Sequence, residues 1–147
     1  MPQIISLVNG VIYMPTIKKT EAGYFLGVDP VTVVEVGDTE QLAAAVAQAL
    51  ARPVPVVPTP PRDAIPQSST VKLAKLRSWA TFDRIKTCWI VSERRGPWQI
   101  ALQRNKRDGK GRDKSSIVVF PDGTSLDEIG RGVCDIIQKK AREIGQL

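Results

Sequence analysis

The sequence contains no histidine. That absence removes the commonest general base and the commonest metal ligand, and with them Ser-His-Asp chemistry, Cys-His chemistry and His-ligated zinc. Cysteine is almost as scarce. Cys88 and Cys134 lie far apart in the chain, without the close spacing that metal knuckles and thiol redox pairs require. Both sit among apolar residues, as expected of small buried hydrophobes. The carboxylates Asp108, Asp113, Asp122 and Asp127 lack a partner base, and local structure accounts for two of them: Asp122-Gly123 as a turn, Asp127 in the first turn of a helix, where the dipole favours it. We therefore expect no enzymatic activity, no catalytic residues, no metal and no cofactor. No apolar run is long enough to cross a bilayer. The stretch Met1 to Met14 is broken by Pro2, Asn9 and Gly10 and has neither a basic leading region nor a small-residue cleavage site, so it is not read as a signal peptide. The expected location is the cytosol, with no membrane partner.

What is present fits one globular unit. A chain of 147 residues, 42% hydrophobic and 24% charged, is long enough for one ordinary core and too short for two, so residues 1–147 are read as a single domain. The net charge of +6 is uneven: residues 61–92 carry six Lys/Arg against two acids and residues 93–114 eight against three, while both flanks are slightly acidic. A one-sign field confined to the middle of a chain favours an acidic partner surface or a polyanion.

The spacing of apolar residues predicts an α+β fold: a largely antiparallel, twisted sheet built from hairpins and packed by helices. Asn9-Gly10 between the apolar runs Ile4 to Val8 and Val11 to Tyr13 is a strong hairpin signal, because both residues tolerate the positive φ of a type I′ turn. Gly23 to Leu26 and Val31 to Val36 read as two further strands separated by an Asp29-Pro30 turn. Asp38 with Gln41 three positions on, followed by Leu42, Val46, Ala49 and Leu50, predicts a capped amphipathic helix over about 39–52. Six prolines between 53 and 66 predict an extended connector between two sub-halves, unable to join a helix or a central strand. A short basic helix is expected at about 69–77, with Leu73 and Leu76 inward. Lys86 to Ser92 and Trp98 to Arg104 predict a second hairpin, followed by a polar loop over 105–114 and a strand over 116–120. Ser125 with Glu128, and the stripe Leu126, Ile129, Val133, Ile136 and Ile137, predict a second amphipathic helix over about 125–144. A shift of 87 positions lays Asp38, Leu42, Val46 and Leu50 onto Ser125, Ile129, Val133 and Ile137. This echo fits a structural repeat, and equally the general likeness of capped amphipathic helices.

The candidate partner-binding residues are Arg94, Arg95, Arg104, Lys106, Arg107, Lys110, Arg112 and Lys114, folded back around Trp98, together with Trp79. Guanidinium groups contact carboxylate or phosphate in bidentate fashion, and a neighbouring indole offers an anchor. Gly109 and Gly111 leave a solvated loop as the open alternative. The spacing of a phosphate loop is missing around Lys110. Trp89 alternates with Cys88 and Ile90 and is expected in the core. Basic residues interleaved with tryptophan also suit single-stranded nucleic acid, although no RNP, KH or helix-turn-helix pattern is present.

Taken in order, several of these parts are similar to the immunity proteins of bacterial contact-dependent growth inhibition systems. They are the apolar hairpin near the start, Gly23-Tyr24-Phe25-Leu26-Gly27, and a strand leading into Asp38-Thr39-Glu40-Gln41-Leu42. Ser78-Trp79 with Phe82 follows, then the Trp98-Gln99-Ile100 strand, and a strand ending at Pro121 before Leu126-Asp127-Glu128-Ile129-Gly130. The resemblance implies a cytosolic protein that binds a cognate toxin domain, often a nuclease, and blocks its active or substrate-binding surface. A basic inhibitor then implies an acidic patch on the toxin, or contact through the more acidic terminal segments. A small basic nucleic-acid-binding module is the alternative. The oligomeric state is not legible in the sequence.

Overall fold

A computed structural model describes residues 2–93, 95–104 and 112–147, with residues 112–115 described by backbone alone. Asn9 and Gly10 adopt φ of 50° and 79°, so the turn predicted from Asn-Gly joins β1 (Gln3–Val8) to β2 (Val11–Thr20). β3 (Phe25–Glu35) returns beside β2 as one continuous strand, where the sequence suggested two strands and a turn. Asp29-Pro30, a cis peptide, is absorbed where the β2–β3 register shifts between Pro15 and Thr16. An edge strand tolerates this, since proline there forfeits no ladder donor facing a partner.

α1 (Thr39–Ala51) begins where Asp38 Oδ1 accepts from Gln41 N at 3.2 Å. The connector that follows is mostly extended, but Val56–Val57 forms a two-residue strand, β4, parallel to Lys19 and Thr20 of β2. The segment was expected to enter no central strand, and β4 is not one: it pairs with the far end of β2 alone, off the main path of the sheet. It joins here because β2 extends past the start of β1 and leaves main-chain groups to satisfy, and neither Val56 nor Val57 is a proline. The basic helix expected over 69–77 is reduced to the single turn α2 (Thr70–Leu73), with Leu73 exposed rather than inward. Lys75, with φ of 56°, ends the helical run. A helix the sequence reading did not anticipate, α3 (Trp79–Ile85), starts at Ser78, whose Oγ accepts from Thr81 N.

β5 (Thr87–Glu93), β6 (Trp98–Gln103) and β7 (Arg112–Val119) complete one sheet in the order β3-β2-β1-β5-β6-β7, with β4 beside β2. β7 starts earlier than the strand expected at 116, and residues 105–111 of the predicted polar loop lie outside the described residues. α4 (Leu126–Glu143) is capped by Ser125 Oγ, which accepts from Glu128 N at 3.2 Å. It ends where Gly145 takes φ of 75° and Gln146 N donates to Ala141 O.

The sheet order reads the same from either edge. β1-β2-β3-α1 and β5-β6-β7-α4 are two βββα units that meet through the antiparallel β1–β5 ladder. A shift of 86 positions carries Ile5, Ile12, Met14 and Val34 onto Val91, Trp98, Ile100 and Phe120, all of which face the same core. The register break in each outer ladder falls at the matching place, Pro15/Thr16 and Ala101/Gln103. The echo heard in the helices at 87 positions therefore extends to strand register, which similarity between amphipathic helices alone does not produce.

α1 and α4 pack on one face of the sheet. Ile5, Leu7, Ile12, Trp89, Val91 and Ile100 from the strands meet Leu42, Val46, Ile129, Val133 and Ile137 from the helices. Each such buried aliphatic side chain stabilises the fold by roughly 1.5–3 kcal/mol relative to exposure. The helices run antiparallel and very close: a Cβ on Gly130 would lie 2.5 Å from Ala43 O. Gln138 Nε2, buried between them, donates to Val36 O at 3.0 Å and Thr39 Oγ1 at 2.9 Å. The opposite face is covered differently in the two halves. Over β1–β3, Val8 and Tyr13 are covered by Phe82 of α3, with Val71, Ala74, Leu76 and Trp79 around them. No described helix covers the corresponding face of β5–β7.

Candidate functional site

The structure distributes the predicted cluster rather than gathering it. Arg94, Lys106, Arg107 and Lys110 lie outside the described residues. Arg95, exposed with φ of 52°, sits in the β5–β6 turn beside Gly96. Arg104, also exposed, directly follows the other end of β6, so the length of that strand, roughly 20 Å, separates the two. Arg112 lies opposite Gln103 in the ladder, which brings its backbone to the Arg104 end; Lys114 lies further along β7. The two tryptophans are on opposite sides of the sheet. Trp98 packs, half-buried, against the helix-side core, whereas Trp79 stands edge-on to Phe82, ring centroids 5.4 Å apart, on the α2–α3 side. Trp89 is 2% exposed within the core, as its alternation with Cys88 and Ile90 predicted.

What the sequence reading missed is the outer face of β5–β7. Cys88, Ile90 and Ser92 of β5, Gln99, Ala101 and Gln103 of β6, and Ile117 and Val119 of β7 share it by register. The alternation at Cys88 to Val91 already separated the two faces. Which of them the helices would cover was not in the sequence. Val119 is the most exposed of the set at 57%, whereas Cys88, Ser92 and Ala101 are buried. Ser92 Oγ is buried with no hydrogen-bond partner. All the described aromatic rings of this half turn the other way, with Trp89 and Trp98 on the helix side.

Near the α3 corner of this face, a groove of about 280 Å³ is lined by Ile4, Lys86, Cys88, Ile90, Gln103 and Arg104. Lys86 Nζ is held by Asp83 at 2.8 Å and lies 5.2 Å from the centre of the Phe82 ring. Burial pushes the Cys88 thiol up, against smaller opposing effects from Lys86 and Ser6, so it is not poised as a nucleophile. Burial also raises Cys134, with Asp135 adding to the shift, and raises Tyr13 with help from Glu35. Asp29 is lowered by the Ser69 hydroxyl and backbone N–H, which donate at 2.6 and 2.7 Å. Each of these shifts follows from a packing or capping contact.

A larger groove, about 460 Å³, lies between β3 and the connector and is lined by Leu26, Val28, Val57, Pro58, Pro60 and Pro66, with Lys18, Asp29 and Gln67. Both carboxylate oxygens of Asp29 are engaged by Ser69, so the acid there serves to dock α2 on β3. Among the described residues, no cluster of three or more Cys, Asp and Glu is placed to hold a metal ion. No described helix is long and apolar enough to cross a membrane.

No family model and no curated protein matches the chain. Among solved structures, a protein of unknown function from Neisseria meningitidis is similar at a TM-score of 0.63 and 13% identity, over 95% of this chain and 93% of that one. At that identity the likeness establishes the fold, an α+β architecture with an antiparallel sheet.

Proposed function

We propose that this chain is a cytosolic immunity protein that binds a cognate toxin domain and neutralises it by covering its active or substrate-binding surface. The observation that carries a protein partner over a nucleic acid is the composition of the basic half of the sheet. Its cations accompany an aliphatic and polar face, and its tryptophans turn inward. Single-stranded nucleic acid is held by aromatic platforms interleaved with cations, whereas a protein partner is recognised by complementary apolar and charged patches. The order of sequence motifs that resembles the growth-inhibition immunity proteins supplies the class of partner.

The test is to co-express the chain with the toxin domain encoded beside its gene. A stable complex on size exclusion and relief of growth inhibition are expected. No co-elution and no relief would refute the proposal. Fluorescence anisotropy with RNA and DNA addresses the alternative: a nucleic-acid module would bind at low ionic strength and lose affinity steeply as salt rises.

A further inference from the structure

We infer that this chain pairs with a second copy of itself through the free edge of β7, the two strands running antiparallel about a two-fold axis at Val118. The inference concerns the chain alone and is independent of the immunity reading.

The ladder defines the edge. β7 is the last strand of the sheet and pairs with β6 alone among the described strands. Phe120 N donates to Trp98 O at 2.9 Å, so these two form a hydrogen-bonded pair. By the alternation of an antiparallel ladder, Val118 and Ile100 form the next one. The residues between, Val119 opposite Gln99 and Ile117 opposite Ala101, therefore turn their N–H and C=O groups away from β6. Such a row is a template for another strand.

Side-chain chemistry agrees. Adjacent residues of a strand point to opposite faces, and Val118 and Val119 are 42% and 57% exposed. An edge strand with one face in water alternates apolar and polar residues, whereas a run that is apolar throughout suits a strand with cover on both faces. Residues 117–120 read Ile-Val-Val-Phe. The matching edge of the first unit is guarded. At the shift of 86 positions, 117–121 fall on 31–35, where Asp29-Pro30 precedes the strand segment and Glu35 ends it; charge and proline are what keep a sheet edge from pairing. Half-buried Thr32 stands there in the place of Val118, and Asp29 docks Ser69 against the strand. Between 116 and 120 the second unit has neither charge nor proline.

Register selects the occupant. A two-fold axis at Val118 sets Ile117 against Val119 of the second copy, and Val119 against its Ile117. These are the residues whose backbone groups face outward, so each pair exchanges both of its hydrogen bonds. Side chains match as well, since valine meets valine on one face and isoleucine meets valine on the other. An axis at Ile117 would instead lay Val118 and Val119 on Ser116 and Ser115, and one at Val119 would set Ile117 against Pro121, which has no N–H to give. Each chain carries +6 overall, yet residues 115–121 carry no charge, so their pairing takes no ion out of water. The contact is the same patch on both copies and closes at two.

The experiment uses the purified full chain. Sedimentation equilibrium should show a dimer that dissociates on dilution. Val118→Lys, which opposes like charges across the axis, should be monomeric at concentrations where the parent is dimeric, with an unchanged thermal melt. Val33→Lys, the change at the exposed position of the other edge, 43% accessible, should dimerise like the parent. A second variant reads the geometry without a charge. Residues facing each other in a non-hydrogen-bonded pair have Cα atoms about 4.5 Å apart, within the span of about 4.4–6.8 Å that a disulfide accepts. Cys88 and Cys134 are buried, so with oxidised glutathione Val118→Cys should link into covalent dimers much faster than Val33→Cys, and should lose that advantage in guanidinium. A parent that stays monomeric into the millimolar range overturns the inference, and so does a dimer that survives Val118→Lys. Cross-linking of Val118→Cys no faster than that of Val33→Cys overturns it too. None of these results bears on capture of the toxin domain, so the immunity reading stands or falls separately.

Discussion

Gly130→Ala isolates the closest approach in the core. A glycine inside a helix is less favourable than alanine by about 1 kcal/mol, so on α4 alone the substitution should stabilise. In the folded protein the added Cβ would meet Ala43 O at 2.5 Å and Ala47 Cβ and N at 3.3 Å. The carbonyl is main chain within α1 and cannot rotate aside. To bring the first contact to the separation of the others, the helices must part by about 0.8 Å, the difference between those two distances. A gap of that size forfeits a quarter to a half of the dispersion well for every pair it opens, and overpacked cores lose about 1–3 kcal/mol. With the clash on rigid backbone, the upper part of that range applies, so the net change after the helix gain is about 1–2 kcal/mol of destabilisation. For a chain of this size the midpoint should fall by about 2–8 °C, read by differential scanning calorimetry. Gly132→Ala is the internal control. It gains the same propensity, and its 2.6 Å contact is with the edge of the half-buried Phe120 ring, which can shift, so its stability should be close to that of the parent. A Gly130→Ala protein melting higher than the parent would refute the packing argument.

Three further outcomes follow from the same structure. Gln138→Leu removes the buried donor to Val36 O and Thr39 Oγ1 and should cost about 1–3 kcal/mol in urea unfolding; an unchanged midpoint would mean that these acceptors are satisfied without it. Burial raises both thiols, so at mildly alkaline pH Cys88 and Cys134 should react with an aromatic disulfide reagent only as fast as the protein opens; two rapid equivalents in the native state would contradict their burial. Asp29 titrates below the usual carboxylate range because Ser69 bonds its charged form. A folded-state value lowered in this way contributes stability that is present above the unfolded value and lost as pH falls through the folded one. A carbon-detected titration should therefore place Asp29 below an unfolded-chain aspartate, and Ser69→Ala should move it upward.

Chain-local chemistry settled much of the fold from the sequence. Asn9-Gly10 fixed a hairpin because few other pairs accept two positive φ angles, and Asp38 and Ser125 fixed helix starts because their oxygens reach N–H groups three residues on. Its large indole pointed Trp89 to the core, alternation put Cys88 and Ile90 on the opposite face from it, and the stripe of α4 put Val133 inward. Other features were decided only by tertiary contact. α2 shrank to a turn, and α3 formed as a cover for Val8 and Tyr13; segments that short are stabilised by what they pack against rather than by their own propensity. Val56–Val57 became a strand because β2 extended past β1 and offered it a ladder. The candidate site divides in the same way. Charge and the absence of histidine are properties of the chain, so the basic middle segment and the expectation of a binding role were legible without coordinates. That Trp79 and Trp98 lie on opposite faces, and that Ser92 is buried without a partner on a face no described helix covers, depends on which side of the sheet each helix packs. Strand alternation names two faces and leaves open which one is buried, because that choice is made by distant segments arriving from elsewhere in the chain.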